Sequence, residues 1–85
     1  MKVVFDPEKD EANKAKHGIS LVGAGDMIIA AVRPDPYPHE PRLRAYGTIA
    51  GKRFCLIYVE RDGRVRAISL RRAHSKEYDR HVTGH

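Results

Sequence analysis

Cysteine occurs once in this chain, at Cys55, so no internal disulfide can form and the stapled frameworks of small secreted domains are excluded. A lone thiol also cannot build the usual zinc cage. The five histidines supply no HExxH frame, and His81 and His85, four apart, fall in the C-terminal tail, so no metal or cofactor is expected. Long apolar runs are missing too: the longest, near Leu21–Val32, is broken by Asp26 and is too short to cross a bilayer. Met1–Phe5 leads straight into Asp6 and Pro7 without a signal-peptide pattern, so the cytoplasm is the expected compartment and no membrane partner is expected. Gly23-Ala24-Gly25 lacks the lysine and following hydroxyl of a nucleotide-binding loop. No local motif joins a nucleophilic Ser or Cys to a base.

What is present is enough chain for one domain, spanning residues 1–85. At this length folding buries only about 60–65% of the unfolded chain's surface, so the core is thin and a two-domain nucleotide-binding enzyme is excluded. Hydrophobic residues make up 41% and charged residues 32%, a globular balance rather than that of a disordered segment. The net charge of +5 is unevenly placed: residues 1–41 carry five basic and seven acidic side chains, residues 42–85 eleven basic and four acidic. Nine of those eleven are Arg, whose planar fork holds phosphate oxygens in pairs, which points to a polyanion as partner. The plainer alternative is a solvated basic surface that maintains solubility.

Lys2–Phe5 is β-prone and stops at Asp6-Pro7, a cap followed by proline at the first helical position; the helix this starts runs to about Lys16, and Gly18 after His17 ends it. Ser20 is placed to cap a second helix, on which Leu21, Ala24, Ile28 and Ala31 form an apolar stripe. Arg33–Pro41, with four prolines in nine residues, reads as a connector. Three strands come next, at Leu43–Ala50, Arg53–Glu60 and Arg64–Leu70, and Asp62-Gly63 is the signature of a type I′ hairpin turn. Ser75–Val82 has helical charge spacing with almost no apolar stripe and is expected to pack loosely at the edge. The fold class is α+β: a small antiparallel sheet with helices on one face, in the order β-α-α-β-β-β-α.

A two-residue turn at Asp62-Gly63 sets Arg61 opposite Arg64 and assigns side chains to faces by parity. Cys55, Ile57, Val59, Ile68 and Leu70 then form the core face, with Arg61, Arg64 and Arg66 towards the turn. Phe54, Leu56, Tyr58, Glu60, Val65, Ala67, Ser69 and Arg71 form an open face suited to a ligand or partner.

An Arg-rich sheet with a few proton-carrying groups suits cleavage of RNA without a metal: the 2′-hydroxyl loses a proton, the leaving oxygen gains one, and fixed cations stabilise the added charge on phosphorus. Guanidinium groups serve the third need and not the second. His17, Glu60, Glu77, Tyr58 and His74 are the candidates for proton transfer, and the sequence does not choose among them. Lys16 beside His17 lowers the imidazole pKa. Each candidate also has a structural alternative: His17 as a polar ring at a helix end, Glu77 as part of a capping box, Arg64 and Arg66 as solvated tips of a hairpin.

Phe5-Asp6-Pro7, Asn13 with Lys16-His17-Gly18, Glu40-x-Arg42 with Gly47, Glu60-Arg61-Asp62-Gly63, Arg66 with Ile68-Ser69-x-Arg71, and Ala73 with Glu77 occur in an order that resembles the BrnT toxin family of bacterial type II toxin–antitoxin systems. The resemblance spans nearly the whole chain. It implies a RelE-like fold, with helices on an antiparallel sheet, and a metal-independent endoribonuclease that arrests growth by cutting cellular RNA. The implied partners are an RNA substrate and a cognate, dimeric antitoxin that binds DNA. Carried onto this sequence, the functional residues are Lys16, His17, Arg42, Arg61, Arg66, Arg71 and Glu77. With the reading of the residues themselves added, the catalytic set is His17, Arg61, Arg66, Arg71 and Glu77, and the RNA contacts are Lys16, Arg42, Tyr58, Glu60, Arg64, Ser69 and His74. The sequence departs from the family pattern at Gly23, His74 and His81.

Two other readings compete. One is a non-catalytic nucleic-acid-binding module, although between Ser20 and Ala31 no Arg, Lys, Asn or Gln is available to read bases as a helix-turn-helix does. The other is a protein-interaction domain that uses the same Arg-rich sheet face.

Overall fold

Asp6 and Pro7 start a helix in the computed structural model, which describes residues 2–84. The Asp6 carboxylate accepts from the Glu8 N–H at 2.8 Å, α1 runs over Pro7–His17, and Gly18 closes it at φ 73° with its N–H on the Lys14 carbonyl. Ahead of it lies the short strand β1 (Val3–Val4). Four further strands are β2 (Ile28–Asp35), β3 (Arg42–Ile49), β4 (Lys52–Arg61) and β5 (Arg64–Arg72), and α2 (Ser75–Val82) completes the described chain. The sheet order is β1-β5-β4-β3-β2, antiparallel except for the parallel β1–β5 pair. The α+β class and the antiparallel sheet hold. Asp62 at φ 52° and Gly63 at φ 73° form the expected hairpin turn, and Ala50-Gly51 repeats the conformation between β3 and β4.

The second helix is not formed as expected. Ser20 does cap, accepting from the Val22 N–H, but the segment it caps is a 3-10 turn over Leu21–Asp26 that buries Leu21 and Ala24. Gly23 and Gly25 weaken the helix, and the β-branched run Ile28, Ile29, Val32 continues as β2. The proline connector is correspondingly shorter. Pro34 pairs with Leu43 inside β2, which is tolerated because β2 is an edge strand. Ile28, Ile29 and Val32 are exposed along it. β2 also shifts register against β3 between Ile29 and Ala31, bringing the Ile28 carbonyl so close to Gly47 that any Cβ there would collide with it.

The two faces of the hairpin are the reverse of the parity reading. Ala45, Phe54, Leu56, Tyr58, Ala67 and Leu70 form the main core with Leu21, Ala24 and Met27 of the 3-10 segment. Arg66 pairs with Val59 and Ala67 with Tyr58, but Ser69 pairs with Ile57, so Ile68 is a bulge and parity changes there. Leu70 joins Leu56 in the core, while Ser69 and Arg71 move to the opposite face with Ile57 and Cys55. Cys55 is fully buried on that opposite face, beside its strand partner Tyr46. Helical segments therefore lie on both faces rather than one: the 3-10 turn covers the core side, α2 lies over Tyr46, and α1 packs along the edge of β5. The contact is firmer than the loose edge packing expected, since the Tyr46 ring stacks on His81 with centroids 4.9 Å apart and meets Tyr78 edge-on.

Candidate active site

Helix α1 has almost no apolar stripe, and the face it turns to the protein is polar. Asp10, Asn13 and His17 stand at i, i+3 and i+7, which places them in one row. The Asp10 carboxylate accepts from the Leu21 N–H at 2.7 Å and the Ser20 hydroxyl at 2.9 Å, tying the helix to the 3-10 turn and holding its pKa below the usual carboxylate range. Asn13 takes the place of a missing strand: β1 covers β5 only at Val65 and Arg66, and further along the Asn13 amide accepts from the Leu70 N–H at 3.0 Å and donates to the Leu70 carbonyl at 2.9 Å. This fixes the end of α1 against β5, and the next residue in the row is His17.

His17 opens onto a cleft of about 710 Å³ lined also by Lys16, Arg71, Arg72, His74, Glu77 and Arg80. Burial lowers the His17 pKa below its ordinary 6.5, and the charges of Lys16 and Arg71 add to the effect. The ring is thus neutral at pH 7. Within it Arg71 grips Glu77 with both arms, Nη1 donating to Oε1 at 2.8 Å and Nη2 to Oε2 at 2.7 Å, while the Tyr46 hydroxyl donates to Oε2 at 3.0 Å. The guanidinium holds the Glu77 carboxyl down to about 2. Burial pushes the Tyr46 phenol up to about 12, so it remains a donor, and Arg71 is held firmly charged by Glu77. Four cations against one carboxylate make the cleft an anion site, with Lys16, Arg72 and Arg80 free of carboxylate partners among the described residues.

Of the residues singled out from the sequence, the structure brings together Lys16, His17, Arg71, His74 and Glu77. Ser69 lies next to this group, sharing a small adjoining hollow with His17 and Lys16. Glu77 does not serve a capping box; it reaches back to the sheet, and His74 begins α2 without a side-chain cap bond. Arg61, Arg64 and Arg66 stand elsewhere, around the Asp62-Gly63 turn. Arg42 and Arg61 share the Glu40 carboxylate, at 3.1 and 3.2 Å, and Glu60 is exposed on the last stretch of β4. Tyr58 is 5% exposed and belongs to the core, which removes it as an RNA contact; the bulge at Ile68 is the reason that parity misplaces it relative to Arg71. His85 lies outside the described residues, so the His81/His85 pair has no described geometry.

Sequence reasoning misses Tyr46, Asn13, Arg72 and Arg80 as members of the site. The i, i+3, i+7 spacing of Asp10, Asn13 and His17 is a usable signal for Asn13. Tyr46 carries none, because its importance arises from the return of α2 over β3.

Comparison with known proteins bears on the family and the fold. A family model described as "Ribonuclease toxin, BrnT, of type II toxin-antitoxin system" matches residues 5–77. The 1.1 Å crystal structure of the Brucella abortus ribonuclease toxin, BrnT, is similar in fold at a TM-score of 0.68 and 25% sequence identity, covering 88% of this chain and 99% of that one. No curated protein matches.

Proposed function

Because the chain belongs to the BrnT family of ribonuclease toxins of type II toxin–antitoxin systems, we propose that it cuts RNA in the cleft beside His17, without a metal ion, and that the loss of RNA halts translation and growth until a cognate antitoxin binds. The observation that carries this reading is an imidazole set in a largely cationic cleft, where burial and the neighbouring charges of Lys16 and Arg71 lower its pKa. His17 takes the proton of a ribose 2′-hydroxyl. That oxygen then bonds to the neighbouring phosphorus as the bond from phosphorus to the 5′-oxygen breaks, leaving a 2′,3′-cyclic phosphate and a 5′-hydroxyl. His74, the other imidazole of the cleft, returns a proton to the leaving oxygen.

Lys16, Arg72, Arg80 and the N–H groups of Arg71 that Glu77 leaves free stabilise the charge developing on the phosphate, each fixed donor of this kind contributing about 2–4 kcal/mol. Glu77 is not a proton carrier, since its carboxyl titrates near 2 and both of its oxygens are engaged. Its role is to aim Arg71. The antitoxin in this reading is a dimeric DNA-binding protein encoded next to the toxin.

The test is single-stranded RNA with the purified protein in excess EDTA, followed across pH. Cleavage should rise with pH through an inflection below 6.5, where His17 loses its proton, and His17→Gln should remove that inflection together with most of the rate. Growth arrest on expression should be reversed by the neighbouring gene product. RNA that stays intact with folded protein overturns the enzymatic reading, and salt-sensitive retention of intact RNA would mark a binding module instead.

A further inference from the structure

The bulge at Ile68 has a geometric effect beyond the core. Counted by parity, Arg64 and Arg66 would face one side of the sheet and Ser69 and Arg71 the other; the extra residue at Ile68 puts all four on the side that carries the cleft. β1 adds to the row, since Val4 pairs with Arg66 and Lys2, two residues earlier in the extended chain, lines the same hollow as Val4 and Arg64.

Several arginines of the molecule are already engaged by carboxylates. Arg44 is paired with Asp35, Arg42 and Arg61 with Glu40, and Arg71 with Glu77, whereas Arg64 and Arg66 have no ion pair or side-chain hydrogen bond among the described residues. Their forks are free for phosphate. Two hollows of about 230 and 280 Å³ surround them. Along β5 the distance from Arg64 to Arg71 is roughly 20 Å, enough for on the order of four nucleotides of an extended strand.

Building on the assignment of the cleft, we infer that Arg64, Arg66 and Lys2 form a second RNA subsite, a phosphate track that holds single-stranded RNA along β5 while His17 acts some nucleotides away. The bulge is what aligns the track with the cleft.

Two measurements test it. In cleavage, kcat/KM should be about tenfold or more higher for an eight-nucleotide RNA than for a trinucleotide, the equivalent of one charge-assisted contact, and R64A/R66A should collapse that dependence on length. In equilibrium binding of the eight-nucleotide RNA, the same variant should flatten the plot of log affinity against log salt by about 1.4, or about 0.7 for each phosphate released. Both side chains are exposed, and R64E/R66E, with an intact CD spectrum, should lower affinity further. Equal rates at all lengths, or an unchanged salt slope, overturns the track and leaves the cleft standing. The salt slope is read by binding, so it judges the track even if no RNA is cut, an outcome that would overturn the cleft reading instead.

Discussion

Glu77 shows how one carboxylate can set both the stability and the geometry of the site. Its pKa is about 2 in the fold against 4.5 when free, and its ion pair with Arg71 is only about a quarter exposed, so the interaction stabilises the native state by about 2–3 kcal/mol after allowance for solvent screening. A depressed carboxylate contributes fully above pH 4.5, and the contribution is lost as pH falls towards 2. Denaturant unfolding measured from about pH 6 to about pH 2.5 should show this decline, and Glu77→Gln should remove that part of it while lowering stability at the upper end. The variant should also slow RNA cleavage, because Arg71 and the Tyr46 hydroxyl lose the group that orients them. Equal stability of variant and parent near neutral pH would mean the pair is only a surface contact. The sequence marks Glu77 as a candidate, but its partner Tyr46 becomes visible only in three dimensions.

At the level of elements, legibility depends on how local the coding is. Asp6-Pro7, Gly18 and Asp62-Gly63 each impose their conformation within two or three residues, and all three can be read directly from the chain. The stretch from Leu21 to Ala31 misleads because its apolar spacing fits a helix, while Gly23, Gly25 and the β-branched run from Ile28 favour a 3-10 turn and a strand. A bulge leaves no comparable mark: nothing in Ala67-Ile68-Ser69 announces that two residues will stand opposite one, so parity sets Ser69 and Arg71 on the face of Tyr58 and Leu70 on the other. The polar row on α1 is likewise invisible to a search for apolar stripes. Asn13→Ala tests its importance, since it leaves the buried N–H and carbonyl of Leu70 without partners, at about 1–3 kcal/mol for each unsatisfied group. Thermal unfolding should show a large drop, and cleavage should fall further than the loss of folded protein explains, because α1 carries His17.

For the whole molecule, the arrangement divides the labour between the two sides of a thin sheet: one side carries the main core and the other the cations and the cleft. Among the described residues, no helix is long and apolar enough to cross a membrane. The exposed edge at β2 is the weakest feature of this plan, since Ile28, Ile29 and Val32 stand in solvent along a strand that is paired on one side only. Ile28→Lys should raise the concentration at which the isolated protein stays monodisperse in light scattering. It should not alter cleavage, because the residue lies away from the cleft. Pro34, near the other end of the same strand, has no N–H to offer and interrupts any continuous ladder there. The margin is therefore guarded at one end only, and a stray β-segment that zips onto the protein must start at the isoleucines and stall before it reaches Asp35.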